Sequence, residues 1–244
     1  MRKQLFVLLL IIAHIVPAAA QNMFLPAVKV RFERTMALAN TIKEVDPELY
    51  KQNKAYLPQT MVTYFDFTGN EKMTYYEPIA EGNKVNSQFA DFYIENKVFT
   101  DLQQGKVAST RKVFSQEYSV ADSIYPIKWQ FTGDLRTIAG FKCRKAIGVL
   151  YDTVVLFAFY AENILVKGGP ESINGLPGMI LGVGIPRVHT TWFATKVEIL
   201  DAPLNAAPPK SNNKSINRRE FTKSVDNMLK RLGEYRKMIF AVII

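Results

Sequence analysis

The stretch Thr60-Met61-Val62-Thr63-Tyr64-Phe65-Asp66-Phe67-Thr68-Gly69-Asn70-Glu71-Lys72-Met73-Thr74-Tyr75-Tyr76 decides the fold class. It is dense in β-branched and aromatic residues, which fit a pleated, half-buried surface. Met61, Thr63, Phe65 and Phe67 recur at every second position, so they share one face of a strand. Gly69-Asn70 follows at once, and Lys72 to Tyr76 resumes the strand chemistry, which predicts a hairpin.

The same reading extends outward. Lys29 to Met36 alternates, with Val28, Val30 and Phe32 on one side. Phe89 to Thr100 and Ala108 to Glu117 read as a further pair joined across Gln104-Gly105-Lys106. Lys128 to Thr132, Lys142 to Tyr151, Val154 to Ala161, Met179 to Val183 and Thr190 to Ile199 complete the series. Short strands with hairpin-like connections predict an antiparallel sheet, and the absence of strand–helix alternation excludes a doubly wound fold. Leu38 to Asn53 reads as one short helix with a break at Asp46-Pro47. Residues 21–200 thus form the β domain, and Asp201 to Ile216, with Pro203, Pro208 and Pro209, reads as a linker. From Asn217 to Lys237 the apolar residues Phe221, Val225, Leu229 and Leu232 follow helical spacing, and the other face is basic. Asn217 or Ser215 is the expected N-cap, and the apolar tail Met238 to Ile244 is expected to dock on the domain.

The N-terminus predicts export. Arg2 and Lys3 precede an apolar run from Leu5 to Val16, then Pro17-Ala18-Ala19-Ala20, so residues 1–20 read as a cleavable signal peptide. The run of about 12 residues is short of the roughly 20 that a spanning helix needs. No cysteine follows the small residues, so a lipoprotein anchor is not expected. The formal net charge of +9 falls to about +7 once Arg2 and Lys3 are removed. Export argues against a nucleic-acid partner and leaves an anionic membrane surface as a peripheral contact for the basic charge. Cys143 is the only cysteine, so no internal disulfide forms.

Catalytic and metal-binding sets are missing from the sequence. His189 is the one histidine left after cleavage, which with one cysteine is too few for a zinc or copper site of usual composition. There is no Gly-x-Ser-x-Gly elbow and no glycine-rich phosphate loop. No cofactor is expected. Carboxylates at Asp134, Glu162 and Glu171 support an alternative reading, a carboxylate-dependent enzyme.

The unusual segment is Gly168-Gly169-Pro170-Glu171-Ser172-Ile173-Asn174-Gly175-Leu176-Pro177-Gly178-Met179. Leu176-Pro177-Gly178-Met179 has the composition of a type II turn. Gly169, Pro170, Gly175, Leu176, Pro177, Gly178 and Met179 are therefore candidate binding residues, with Leu176 either the tip of a stiff binding loop or a plug in the core.

This segment resembles the signature of the GLPGLI family, exported proteins of Bacteroidota with no assigned activity; methionine 179 stands at the fifth position of the motif. Further blocks resemble the family in order: Val30-Arg31-Phe32-Glu33-Arg34, Ile127-Lys128-Trp129, Gly140-Phe141-Lys142-Cys143-Arg144-Lys145-Ala146 and Ala158-Phe159-Tyr160-Ala161. The resemblance covers most of residues 28–200. It implies a curved antiparallel sheet or half-barrel wrapped around helices, so with the C-terminal amphipathic helix read from its own spacing the expected fold is mainly β (α+β) with one or two helices. It also implies a location in the periplasm or at the periphery of the outer membrane. The expected function is non-catalytic binding of a hydrophobic ligand or of an outer-membrane or periplasmic protein, such as part of a TonB-dependent system. A purely structural envelope component is a further alternative.

Overall fold

The computed structural model describes residues 24–79, 95–201 and 203–244. The expected signal peptide and the first half of the Phe89 to Thr100 strand lie outside them. The chain is mainly β: the described residues build one open sheet of twelve strands, with four helices packed on it. The strands are β1 (Ala27–Met36), β2 (Met61–Asn70), β3 (Met73–Pro78), β4 (Lys97–Asp101), β5 (Lys106–Val113) and β6 (Gln116–Ser123), followed by β7 (Lys128–Ile138), β8 (Phe141–Leu150), β9 (Val154–Ala161), β10 (Met179–Ile185), β11 (Thr190–Ile199) and β12 (Ser215–Ile216). Their spatial order is β12-β6-β5-β4-β3-β2-β1-β11-β10-β9-β8-β7. Successive hairpins generate each half, and β1 against β11 joins the halves. Only β12 runs parallel to its neighbour, β6. The edges stay apart, so the sheet is not a closed barrel.

The alternation seen in the sequence has its cause in burial. Val28, Val30, Phe32, Arg34 and Met36 of β1 point inward, as do Met61, Thr63, Phe65 and Phe67 of β2. Phe65 stacks on Tyr76 with ring centroids 4.8 Å apart, and Phe32 meets Phe67 edge-on at 6.3 Å. Full burial of such a ring stabilises the fold by about 1.5–3 kcal/mol.

Two expectations, one strand and one helix, need correction. Ala108 to Glu117 is not one strand: the chain reverses at Phe114-Ser115, pairing Val113 with Gln116, and β6 follows. Phe114 takes a positive φ of 53° there, without the glycine or asparagine that announces such a turn. Leu38 to Asn53 holds two helices, α1 (Leu38–Val45) and α2 (Pro47–Asn53). Asp46 breaks the first with an extended backbone and caps the second, its carboxylate accepting from the Leu49 N–H at 2.9 Å. The linker is tied down, since Asn213 donates to the Glu117 carbonyl at 3.0 Å and Ser215-Ile216 pairs with β6.

The C-terminal helix α3 (Arg218–Arg231) ends before Lys237. Asn217 and Glu220 form a reciprocal capping box at its start. Phe221, Val225 and Leu229 bury against Val113, Tyr118 and Val120, whereas Leu232 sits at the exposed end. A 3-10 turn leads to α4 (Ile239–Ile243), so the apolar tail docks as a helix against the core.

Candidate functional site

The loop between β9 and β10 is anchored at both ends. The Ile180 N–H donates to the Gly168 carbonyl at 2.9 Å, and the Met179 N–H to the Ile164 carbonyl at 3.2 Å. Using Met179 in that way removes it from the expected type II turn. The chain instead turns over three residues, the Gly178 N–H donating to the Leu176 carbonyl at 2.9 Å around Pro177. Glycine is required at 178 because a Cβ would stand 2.2 Å from the Ala161 carbonyl oxygen.

The candidate residues divide by burial. Leu176 is 2 % exposed and lies in the main core; Gly169, Pro170, Gly178 and Met179 are buried too. Gly175 and Pro177 are exposed at the tip. Trp129 holds the tip from β7, its indole N–H donating to the Asn174 carbonyl at 3.0 Å.

What this packed loop delivers inward is Glu171. It occupies a 3-10 turn, Pro170–Ser172, in which Glu171 has φ 53° and ψ 32° and Ser172 has φ 64°. Two consecutive non-glycine residues in the left-handed region cost on the order of 1–3 kcal/mol each. The turn places a carboxylate that is 3 % exposed among buried polar groups from three strands, Arg34 of β1, Tyr76 of β3 and Arg111 of β5, and from the chain before β4. Asn96 Nδ2 donates to Glu171 Oε2 at 2.9 Å. Burial raises the Glu171 pKa, and Arg111, the Asn96 hydrogen bond and Arg34 work against that rise. Burial, and then the charge of Glu171, push the Tyr76 hydroxyl well above its ordinary value. Arg34 lies over the Trp192 ring at 5.6 Å, and Arg111 over Phe221 at 5.9 Å.

Arg34, Tyr76, Asn96, Arg111 and Trp192 escaped notice in the sequence. Arg34 carried a signal, a charge in phase with Val28, Val30 and Phe32. The rival carboxylates are not assembled with Glu171: Asp134 pairs with Lys145 at 2.9 Å and Glu162 with Arg144 at 3.1 Å, both on the surface. His189 sits half-buried before β11, 2.9 Å from Glu44. Cys143 is buried, and that burial pushes its thiol up to about 11. Among the described residues no three His, Cys, Asp or Glu side chains are grouped to hold a metal ion.

On the side of α3 and α4 a groove of about 760 Å³ opens at the surface. Its floor is Tyr125, Tyr151, Ile239, Phe240 and Ile243. Four cations, Arg218, Arg219, Lys223 and Arg236, rim it against two carboxylates, Asp122 and Asp226. Asp226 is engaged by Lys230 at 2.6 Å and Arg236 at 3.0 Å. Asp122 accepts from the Arg218 backbone N–H at 2.9 Å, and the Arg218 guanidinium donates to the Ser123 carbonyl at 2.6 Å. Arg219 and Lys223 remain as cations without an ion pair among the described residues.

No family model and no curated protein sequence match the chain. Its fold is similar to part of PNGF-II. In space group P21 that structure aligns at a TM-score of 0.52 and 12 % identity, over 81 % of this chain and 32 % of PNGF-II. In space group C2 the values are 0.49 and 12 %, over 72 % and 28 %. The chain thus spans about a third of the length of that protein, and the likeness is one of fold.

Proposed function

We propose that the protein is a non-catalytic envelope protein of GLPGLI type, exported by residues 1–20 to the periplasm or the outer-membrane periphery. It binds a hydrophobic ligand bearing an acidic group. The observation that carries this reading is the groove beneath α3 and α4: an aromatic and aliphatic floor with unpaired cations at its rim. Its volume of about 760 Å³ lies within the range of roughly 300–1,000 Å³ typical of small-molecule sites. An acidic head group at Arg219 and Lys223 leaves the apolar body on Tyr125, Tyr151 and Phe240. The loop from Gly169 to Met179 serves this site from within, by fixing Glu171 and the core behind the groove.

The finer shape in this reading is a curved half-barrel. Arg136 on edge strand β7 lies over Phe193 on β11 at 4.5 Å, a contact that a flat sheet would not allow across the intervening strands.

Dodecanoate and dodecanol separate the parts of the proposal in calorimetric titration of residues 21–244. Dodecanoate is expected to bind at least tenfold more tightly than dodecanol, and Lys223→Glu with Arg219→Glu to remove that preference. Equal affinities, or a preference that survives the double variant, would rule the groove out as the site.

A further inference from the structure

Behind the groove lies a separate chamber of about 50 Å³, room for roughly three to five waters at about 10–15 Å³ each. Asp122, Tyr125, Tyr151, Arg218 and Ile243 line both spaces, and the two tyrosines with Ile243 form the partition between them. The partition is fixed: the Tyr151 hydroxyl donates to the Ile243 carbonyl at 3.2 Å, and the Tyr151 N–H donates to the Tyr125 hydroxyl at 3.2 Å.

Val107, Val120, Leu150 and Ile173 give the chamber an apolar wall, and Asp122 and Arg218 line it as well. Its inner end carries Arg111 and Glu171, 7 % and 3 % exposed. Each has one atom engaged: Arg111 Nε donates to Ser109 Oγ at 3.3 Å, and Glu171 Oε2 accepts from Asn96. Arg111 Nη1 and Glu171 Oε1 are buried and make no hydrogen bond, to each other or to anything else. A donor and an acceptor are thus left open on the wall of one small chamber. The left-handed backbone at Glu171 and Ser172 holds the carboxylate in that place.

We infer that the chamber is a binding site for a small uncharged molecule of the carboxamide class, its carbonyl accepting from Arg111 Nη1 and its N–H donating to Glu171 Oε1. The chemistry excludes the neighbouring classes. A carboxylate sets like charge against Glu171, and an ammonium sets like charge against Arg111. A ketone satisfies the guanidinium and leaves the carboxylate oxygen bare, and a hydrocarbon satisfies neither. The site is independent of the groove and goes beyond the function proposed for it.

Acetamide, acetone and acetate are the probes, titrated into the full mature chain and followed by the isoleucine δ-methyl resonances, since Ile127, Ile173, Ile243 and Ile244 line the chamber. Acetamide is expected to give saturable shifts and to bind at least tenfold more tightly than acetone or acetate. Arg111→Met keeps the apolar stem and is expected to weaken acetamide at least tenfold. Ile173→Phe fills the chamber from its apolar side and gives the same loss if the arginine variant does not fold. Lys223→Glu, on the groove rim, leaves acetamide binding unchanged. Shifts that do not saturate, acetone binding as tightly as acetamide, or affinity unaltered in the folded chamber variants would overturn the site and leave a cavity filled by water alone.

Discussion

Asn96 Nδ2 reaches Glu171 Oε2 at 2.9 Å across 75 residues of chain, fastening the segment before β4 to the loop before β10 inside the core. Both residues are almost fully buried. Asn96→Leu is expected to destabilise the protein by about 1–3 kcal/mol, the cost of stranding a buried polar group. Urea unfolding with an unchanged m-value checks it.

The buried carboxylate also sets a pH dependence. Burial raises the Glu171 pKa above its ordinary 4.5, so the folded state holds the proton more tightly than the unfolded chain does. The resulting stability is complete below pH 4.5 and is lost as pH rises through the folded pKa. Glu171→Gln cannot titrate, so it is expected to gain stability on the wild type across that window. Asp134, held down by Lys145, and Asp226, held down by Lys230 and Arg236, act oppositely and only as pH falls below 3.8. Melting temperatures of both proteins from pH 3 to pH 8 (on the order of that span) test the sign.

Leu176 distinguishes a core plug from a binding tip. At 2 % exposure, Leu176→Ala is expected to cost about 2–5 kcal/mol, whereas Pro177→Ala at the exposed tip costs under about 1 kcal/mol. Similar small losses at both positions in denaturant titration would remove the plug.

Gly178 admits no side chain. A Cβ 2.2 Å from the Ala161 carbonyl oxygen forces the two backbones apart, so Gly178→Ala is expected to lose more than about 3 kcal/mol or to fail to fold. Soluble yield and circular dichroism read the outcome.

Cys143 is expected to be inert. A thiol pushed up to about 11 by burial is almost wholly protonated near pH 8, and the thiolate is the reactive form. Ellman's reagent should label it only after unfolding; rapid labelling of the native protein would contradict its burial.

The sequence made most strands legible because their inward residues alternate without interruption, as Val28, Val30 and Phe32 do in β1. Strand β6 stayed hidden because Phe114-Ser115 turns without turn residues, so two strands read as one. The loop stood out through its glycines and prolines, but its contribution to the site did not. Glu171 matters through Asn96, Arg111 and Arg34, which come from the segment before β4 and from two distant strands and share no spacing with it. Arg34 alone was readable, as a charge in a buried phase.

The pairing of β1 with β11 sets the order in which this chain can fold. Val28 lies opposite Ile199, so the first strand finds one of its two neighbours only when the last long strand is available. Hairpins from β2 to β6 and from β7 to β11 can close early as local units. The contact that unites them closes a loop spanning most of the chain, and such non-local closure slows folding to milliseconds or longer. Until then β1 and β11 carry open edges, the interval in which self-association competes with folding.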